Sequence, residues 1–273
     1  MPAARRAVVT AIVLVVVAGA GLIWFLVRKP ASPPPGCTAA PLTAGAPSVP
    51  LSPDQAENAA VIAAVGQRLG MPDRAVTVAL ATAMQESRLA NLSGGDRDSA
   101  GLFQQRPSQG WGTYAQVTDP VHASVSFYEH LRAESGWQQL SVTQAAQRVQ
   151  HSAAPDAYAD WEPQARAVAA ALTGESVAAL TCHDLTITAP AASLHGLAVA
   201  EWGTGTITGP HDTARGWAIS SWLVAHAGRL GIDRVSFDGQ VWTAAAGSWA
   251  RSGPVTTTLS LHQVSASTTR DPG

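Results

Sequence analysis

The sequence predicts an α+β protein, with an N-terminal transmembrane helix, a mainly α domain and a small α+β domain at the C-terminal end. Three observations predict it. Residues 7–27, "AVVTAIVLVVVAGAGLIWFLV", run without charge between Arg5-Arg6 and Arg28-Lys29. Residues 52–174 contain helix-cap signatures followed by apolar residues at three- and four-residue spacing. Beyond Cys182, short alternating runs and an Asp-Gly pair take over, as strands and a hairpin require.

With 273 residues, 46% hydrophobic and 13% charged, the chain can bury the cores of two modest domains beside a membrane segment. Its formal net charge is -2, and no Lys/Arg stripe is sustained anywhere. That excludes the electrostatic footprint of a nucleic-acid binder and of a polybasic membrane patch, so a largely neutral partner is expected.

Residues 1–29 are expected to form a cytoplasmic tip and a membrane anchor, because the apolar run has the roughly 20 residues that cross a hydrocarbon core. Small residues in "AGAG" leave a cleaved signal peptide as the competing reading. The run is longer than a usual signal core and continues through Trp24 and Phe25 to a basic border, which favours the anchor. Residues 30–52, rich in Pro and Ala and free of charge, predict an extended, poorly folded stalk.

Ser52, Pro53 and Gln55 stand as N-cap, first helical residue and capping-box partner, so a helix is expected to about Leu69, with a stop at Gly70. Pro72 opens a second helix ending near Gln85. Asp119-Pro120 opens a third, and further helices are expected near 142–151 and 161–172, closed by Gly174. The helical domain is thus 53–182. In 183–273, "LAVAEW" and "VTTTLSLHQV" read as strands, "RVSFDGQVWT" as a hairpin turning at Asp238-Gly239, and 214–230 as a helix. The two cysteines, Cys37 and Cys182, bracket the helical domain. Outside the membrane they either close a long loop as a disulfide or remain free thiols; the bridge is the expectation.

One stretch concentrates chemistry: "QESRLANLSGGDRDSAGLFQQ", residues 85–105. On the second helix Val76, Ala79, Ala83 and Glu86 share one face, so Glu86 ends an apolar stripe. Desolvation there favours the protonated carboxyl, the form that donates a proton. A helix-end Glu turned to water is the plainer alternative. Glu86-Ser87, followed 15 residues after the Glu by Gly101-Leu102-Phe103-Gln104, resembles the Glu-Ser and Gly-Leu-Met-Gln signature of the soluble lytic transglycosylases of the lysozyme superfamily. Asp98-Ser99 stand where that family usually has Gly-Ala, and Phe103 stands for Met. The run "GDRDSAGLFQQRPSQGWGT" followed by "DPVHASVSFY" is more similar still to actinobacterial membrane-anchored cell-wall proteins. The resemblance covers roughly residues 53 to 182.

The resemblance implies an enzyme that cuts peptidoglycan glycan strands at the MurNAc-GlcNAc linkage, on the extracellular side of a single-pass cell-membrane anchor. Glu86 would be the single catalytic acid and then the base. Ser87 would orient the substrate or the carboxylate, and Gln104 would line the groove with help from Gln105. The family's Tyr-Asn segment is replaced by "RVQHSAAPDAY", which offers Gln150 and Tyr158 as substitutes. Trp111 either stacks on a sugar ring or packs locally. Asp96 and Asp98 either activate a water as a second carboxylate or fix the "GGDRDS" loop through their own hydrogen bonds. Position 12 counted from Asp96 is Pro107, so the loop is no EF-hand.

"RGWAISSWLVAHAGRLGIDRVSFDGQVW" resembles part of a domain related to zinc D-Ala-D-Ala carboxypeptidases, over roughly 194 to 264. The final strand carries only His262, His211-Asp212 lacks its continuation, and His226 reads as a packed or surface histidine, so no metal site and no cofactor are expected. Two functions follow: a glycan-cleaving enzyme, or a non-catalytic peptidoglycan-binding or scaffold protein.

Overall fold

The computed structural model describes residues 33–152 and 156–265; the expected membrane helix falls outside them. Among the described residues no helix is long and apolar enough to cross a membrane. Residues from Pro35 onward cluster as one unit, α+β in content.

The chain enters through β1 (Gly36–Ala39) and β2 (Val49–Leu51), which pair antiparallel. β1 also pairs with β3 (Leu180–His183), giving a three-stranded sheet in the order β2-β1-β3. Within the 30–52 span expected as a free stalk, Gly36–Ala39 and Val49–Leu51 are strands, joined by a turn-rich segment. Pro50 is tolerated because β2 is an edge strand, where a missing N–H breaks no ladder. Cys37 lies opposite Cys182 in the β1-β3 register, and the two form a disulfide that closes a loop with a sequence separation of 145.

The helical region follows its caps. α1 (Pro53–Arg68) begins with the full Ser52/Gln55 capping box and ends at Leu69. α2 (Asp73–Ser87) is buried almost continuously from Ala75 to Met84, so it is a central helix rather than an amphipathic surface one. Its alanines let neighbours approach closely. α1, α4 (Pro120–Ala133), α5 (Val142–Gln150) and α6 (Glu162–Thr173) all pack on it, with the short α3 (Tyr114–Val117) leading into α4. Asp119 caps α4 through the His122 N–H, and Gly174, at φ 80°, closes α6.

The C-terminal region departs from its expectation at residues 194–202 and in two added strands, Gly209–Pro210 and Ser248–Arg251. "LAVAEW" is not a strand; it lies within the helix α7 (Leu194–Trp202), because Ser193 caps its start and Gly203, left-handed at φ 73°, stops it. A six-residue apolar run carries no decisive period, and the caps decide. The helix α8 (Thr213–Ala225) and the short α9 (Ala227–Leu230) occupy the expected helical span. A second, antiparallel sheet has the order β4-β8-β5-β6-β7, from β4 (Gly209–Pro210), β5 (Ile232–Phe237), β6 (Gln240–Thr243), β7 (Ser248–Arg251) and β8 (Thr258–Gln263). Asp238 and Gly239, both at positive φ, make the two-residue β5-β6 turn, the backbone a type I′ hairpin needs. α8 packs against α1 and α6, so the regions before and after Cys182 share a packed interface.

Candidate active site around Glu86

Glu86 sits in the last turn of the central helix, and the helix is stopped hard just beyond it. Arg88 and Leu89 both adopt left-handed backbone, at φ 57° and 60°. For non-glycine residues that costs roughly 1–2 kcal/mol each. Side chains of α1 offset it: Gln55 Nε2 donates to the Arg88 carbonyl and Asn58 Nδ2 to the Leu89 carbonyl, each at 2.8 Å. The Leu89 N–H returns to the Ala83 carbonyl, a Schellman-type closure, and the Leu89 side chain is buried. These contacts fix the direction in which the helix presents Glu86.

The loop that follows folds back over this end. Leu92 bridges Gly101 and Ala100 bridges Gln105. Gly101 is at φ 80°, and a Cβ there would stand 1.9 Å from the Val117 carbonyl oxygen, so only glycine permits the close approach. Ser87 is almost fully buried, and its hydroxyl lies 2.7 Å from the Leu102 carbonyl and 3.0 Å from that of Ala83. It fastens loop to helix and is not among the residues lining the cavity. Gln150 Nε2 donates to the next carbonyl, Phe103, at 2.8 Å. Phe103 stacks on Phe127 with ring centroids 4.7 Å apart, so the residue replacing Met anchors the loop to α4.

A cavity of about 400 Å³ opens at Glu86. Glu86, Asp96, Ser99, Gln104, Gln105, Trp111 and Gln150 border it, joined by Arg97, Arg106, Gln109, His151 and Ser152, none of which the sequence singled out. Beneath the carboxylate lies Tyr158, fully buried, whose hydroxyl donates to Glu86 Oε1 at 2.6 Å. Burial pushes the Tyr158 phenol well above its ordinary value, and the neighbouring Glu86 carboxylate adds to this, so Tyr158 remains a donor. Tyr158 therefore holds the carboxylate from below rather than lining the groove. Trp161 flanks the same helix end, donating to Gln85 Oε1 at 2.8 Å and lying under the Arg88 guanidinium.

Gln104 adopts left-handed backbone at φ 48°, and its amide is set by two neighbours. Nε2 donates to the Gly101 carbonyl at 3.1 Å, and the Ser99 hydroxyl lies 3.1 Å from Oε1. The Ser99 hydroxyl, where the resembling family usually has Ala, shares its proton between the Asp96 carbonyl at 2.8 Å and this amide oxygen, so it ties the loop to Gln104. Gln105 is buried and donates to the Ala123 carbonyl at 3.1 Å.

Of the two loop carboxylates, Asp98 is not among the residues lining the cavity. Its Oδ1 accepts from Arg106 Nε at 3.0 Å and from the Ser108 hydroxyl at 2.9 Å, and its Oδ2 accepts from the Ser108 N–H at 2.7 Å. Those bonds, the Ser108 N–H first, hold its carboxyl at about 2. Asp98 is a loop staple. Asp96 borders the cavity, but its side chain is 90% exposed and its nearest cation, Arg97, is 3.9 Å away.

In the C-terminal region His262 pairs with Asp233 and His226 with Glu201, while the His211 ring meets the Ile207 carbonyl. Among the described residues, no three His, Cys, Asp or Glu converge as a metal site would require. The chain matches no protein-family model and no curated protein.

Proposed function

We propose that the protein is a membrane-anchored enzyme that cleaves peptidoglycan glycan strands between MurNAc and GlcNAc, with Glu86 as general acid and then general base. The observation that carries this reading is the Glu86 carboxylate, gripped by Tyr158 at the edge of a cavity otherwise rich in amides and bearing one indole. Amides of Gln104, Gln105 and Gln150 suit the hydroxyls and acetamido groups of an amino-sugar polymer, and an indole suits the apolar face of a pyranose. The fixed spacing from Glu86-Ser87 to Gly101-Leu102-Phe103-Gln104 and its likeness to lytic transglycosylases supply the linkage.

In the reaction Glu86 protonates the glycosidic oxygen as the bond to C1 of MurNAc breaks. The carboxylate so formed accepts the hydrogen bond of Tyr158. It then takes a proton from the oxygen that attacks C1. The test is mass spectrometry of soluble products released from purified sacculi by the wild type and by Glu86→Gln. Wild-type cleavage with no products from the variant is expected, because the amide fills the same volume but cannot exchange the proton, and acid-base catalysis contributes about 10² to 10⁴-fold. Undiminished turnover by Glu86→Gln overturns the assignment. Binding of strands without release of products by the wild type would favour the wall-binding reading instead.

A further inference from the structure

Trp111 lies in the segment "SQGWGT", between Gly110 at φ 86° and Gly112 at φ 116°. Glycines on both sides leave the local backbone little hold on the indole, and space around Gly110 is open, with no atom within 4 Å of where a Cβ would be. What holds the ring is tertiary. The imidazole of His130 stacks on it with centroids 4.0 Å apart and planes 29° from parallel. His130 is in the last turn of α4, and its Nδ1–H donates to the Ser126 carbonyl at 2.8 Å, one turn back. An exposed histidine is thereby locked flat against an indole.

The indole borders the Glu86 cavity and His130 does not. Its N–H also differs from those of most tryptophans here. Among the described residues Trp161, Trp217, Trp222, Trp242 and Trp249 each donate to a protein acceptor, whereas the Trp111 N–H, like that of the buried Trp202, has no hydrogen-bond partner there. A half-buried indole, backed on one side by a fixed ring and keeping its polar tip for a ligand, is what a sugar platform requires.

From this the geometry points to His130 as a positioning residue: it backs Trp111 so that the indole presents a stacking surface to one hexosamine ring of the strand held at Glu86. This rests on the glycan-binding reading of the cavity. His130 touches no substrate and acts only through Trp111. The stack is of the size that decides binding by about two- to tenfold, the effect of an aromatic pair.

The experiment measures the full chain with a GlcNAc-MurNAc tetrasaccharide freed of peptide. Binding is read by calorimetry in the Glu86→Gln background, and KM and kcat are read with Glu86 intact. His130→Ala is expected to weaken binding and raise KM two- to tenfold while kcat shifts less than twofold. His130→Phe, which restores a flat ring, is expected to recover most of the affinity. Trp111→Ala is expected to weaken binding at least as much, and His130→Ala added to it to do nothing more, since one residue acts through the other. Unchanged binding in His130→Ala, additive losses in the double variant, or an equal fall in kcat overturns the proposal, as does a wild type that does not bind the tetrasaccharide. If the wild type binds but does not cut and the variants still follow the expected order, the platform stands and the catalytic reading of Glu86 falls.

Discussion

The Tyr158 hydroxyl donates to Glu86 Oε1 at 2.6 Å from a fully buried position, across 72 residues of sequence. The phenol reaches the carboxylate from beneath the cavity, so it can steady Glu86 through both halves of a reaction without meeting the substrate. Hydrogen bonds to charged groups contribute about 1.5–3 kcal/mol. Tyr158→Phe is therefore expected to lower kcat by roughly 10- to 100-fold, with KM within about twofold. Steady-state kinetics on solubilised strands checks this. A variant that raises KM alone would make Tyr158 a substrate contact.

The Cys37–Cys182 bridge joins neighbouring strands at the two ends of the helical region, with both cysteines buried. Closing so long a loop stabilises by about 5 kcal/mol in the chain-entropy treatment, less where the unfolded chain is already compact. Replacing both cysteines with serine is expected to lower unfolding free energy by about 2–5 kcal/mol in a denaturant titration. A change below 1 kcal/mol, taken on the same order-of-magnitude scale, would mean that the three-stranded sheet holds without it.

Glu201 and His226 are buried together, with Nε2 of His226 3.5 Å from Oε2 of Glu201. The same oxygen accepts the Trp222 indole N–H at 2.6 Å, and His226 Nδ1–H donates to the Trp222 carbonyl at 3.0 Å. Burial by itself pushes the imidazole down, but Glu201, with Glu57 farther out, outweighs it, and the net direction is up. A folded-state value above the unfolded one of about 6.5 gives stability that is fully present below that pH. It is lost as pH rises through the folded value. Thermal unfolding between pH 6 and 9 is expected to show the wild type losing its advantage over Glu201→Gln as pH rises, beginning from a gap of about 3 kcal/mol. Parallel curves would remove the charged pair from the account.

What could be read in advance was local. Ser52, Pro53 and Gln55 specify a helix start by their own hydrogen bonds, and Asp238-Gly239 specifies a turn by its backbone preference. Glu86 and Gln104 belong to one short, spaced signature, and they border one cavity together with Gln105, Trp111 and Gln150, which lie outside that signature. The 194–202 helix was decided by its local caps, Ser193 and Gly203, whereas the N-terminal sheet has a nonlocal origin. β1 exists through pairing with β3 about 140 residues later, and a charge-free, proline-rich composition conceals that. The roles of Gln55 and Asn58 in stopping α2, of Ser99 in tying the loop to Gln104, and of His130 behind Trp111 leave no sequence period at all. The bond from the Ser87 hydroxyl to the Leu102 carbonyl is likewise set by the folded loop and not by any local pattern.

If the chain cleaves glycan as proposed, the kind of cut depends on which carboxylates are available. Glu86 borders the cavity, while Asp98 has both oxygens occupied by Arg106 and Ser108 and belongs to the loop. Asp96 is left on the rim, exposed to solvent, and among the described residues no hydrogen-bond donor orients its carboxylate. A hydrolase that inverts needs a second carboxylate to position water across the sugar from the acid. Without one, the attacker that needs least positioning is the C6 hydroxyl of the same MurNAc residue, which is already tethered and gains the advantage of proximity. Under the proposed function the MurNAc acetamido group would stabilise the cationic centre, and Glu86 would accept the C6 proton as the oxygen closes on C1. Products are accordingly expected to end in 1,6-anhydro-MurNAc, one water lighter than hydrolysed chains, by mass spectrometry of sacculus digests. Asp96→Asn is expected to leave that product and its rate within a few-fold, whereas Asp98→Asn loosens the loop and slows release without changing the product. Reducing-end MurNAc as the sole terminus, abolished by Asp96→Asn, would make the enzyme a muramidase with Asp96 activating water, and Glu86 would remain its acid.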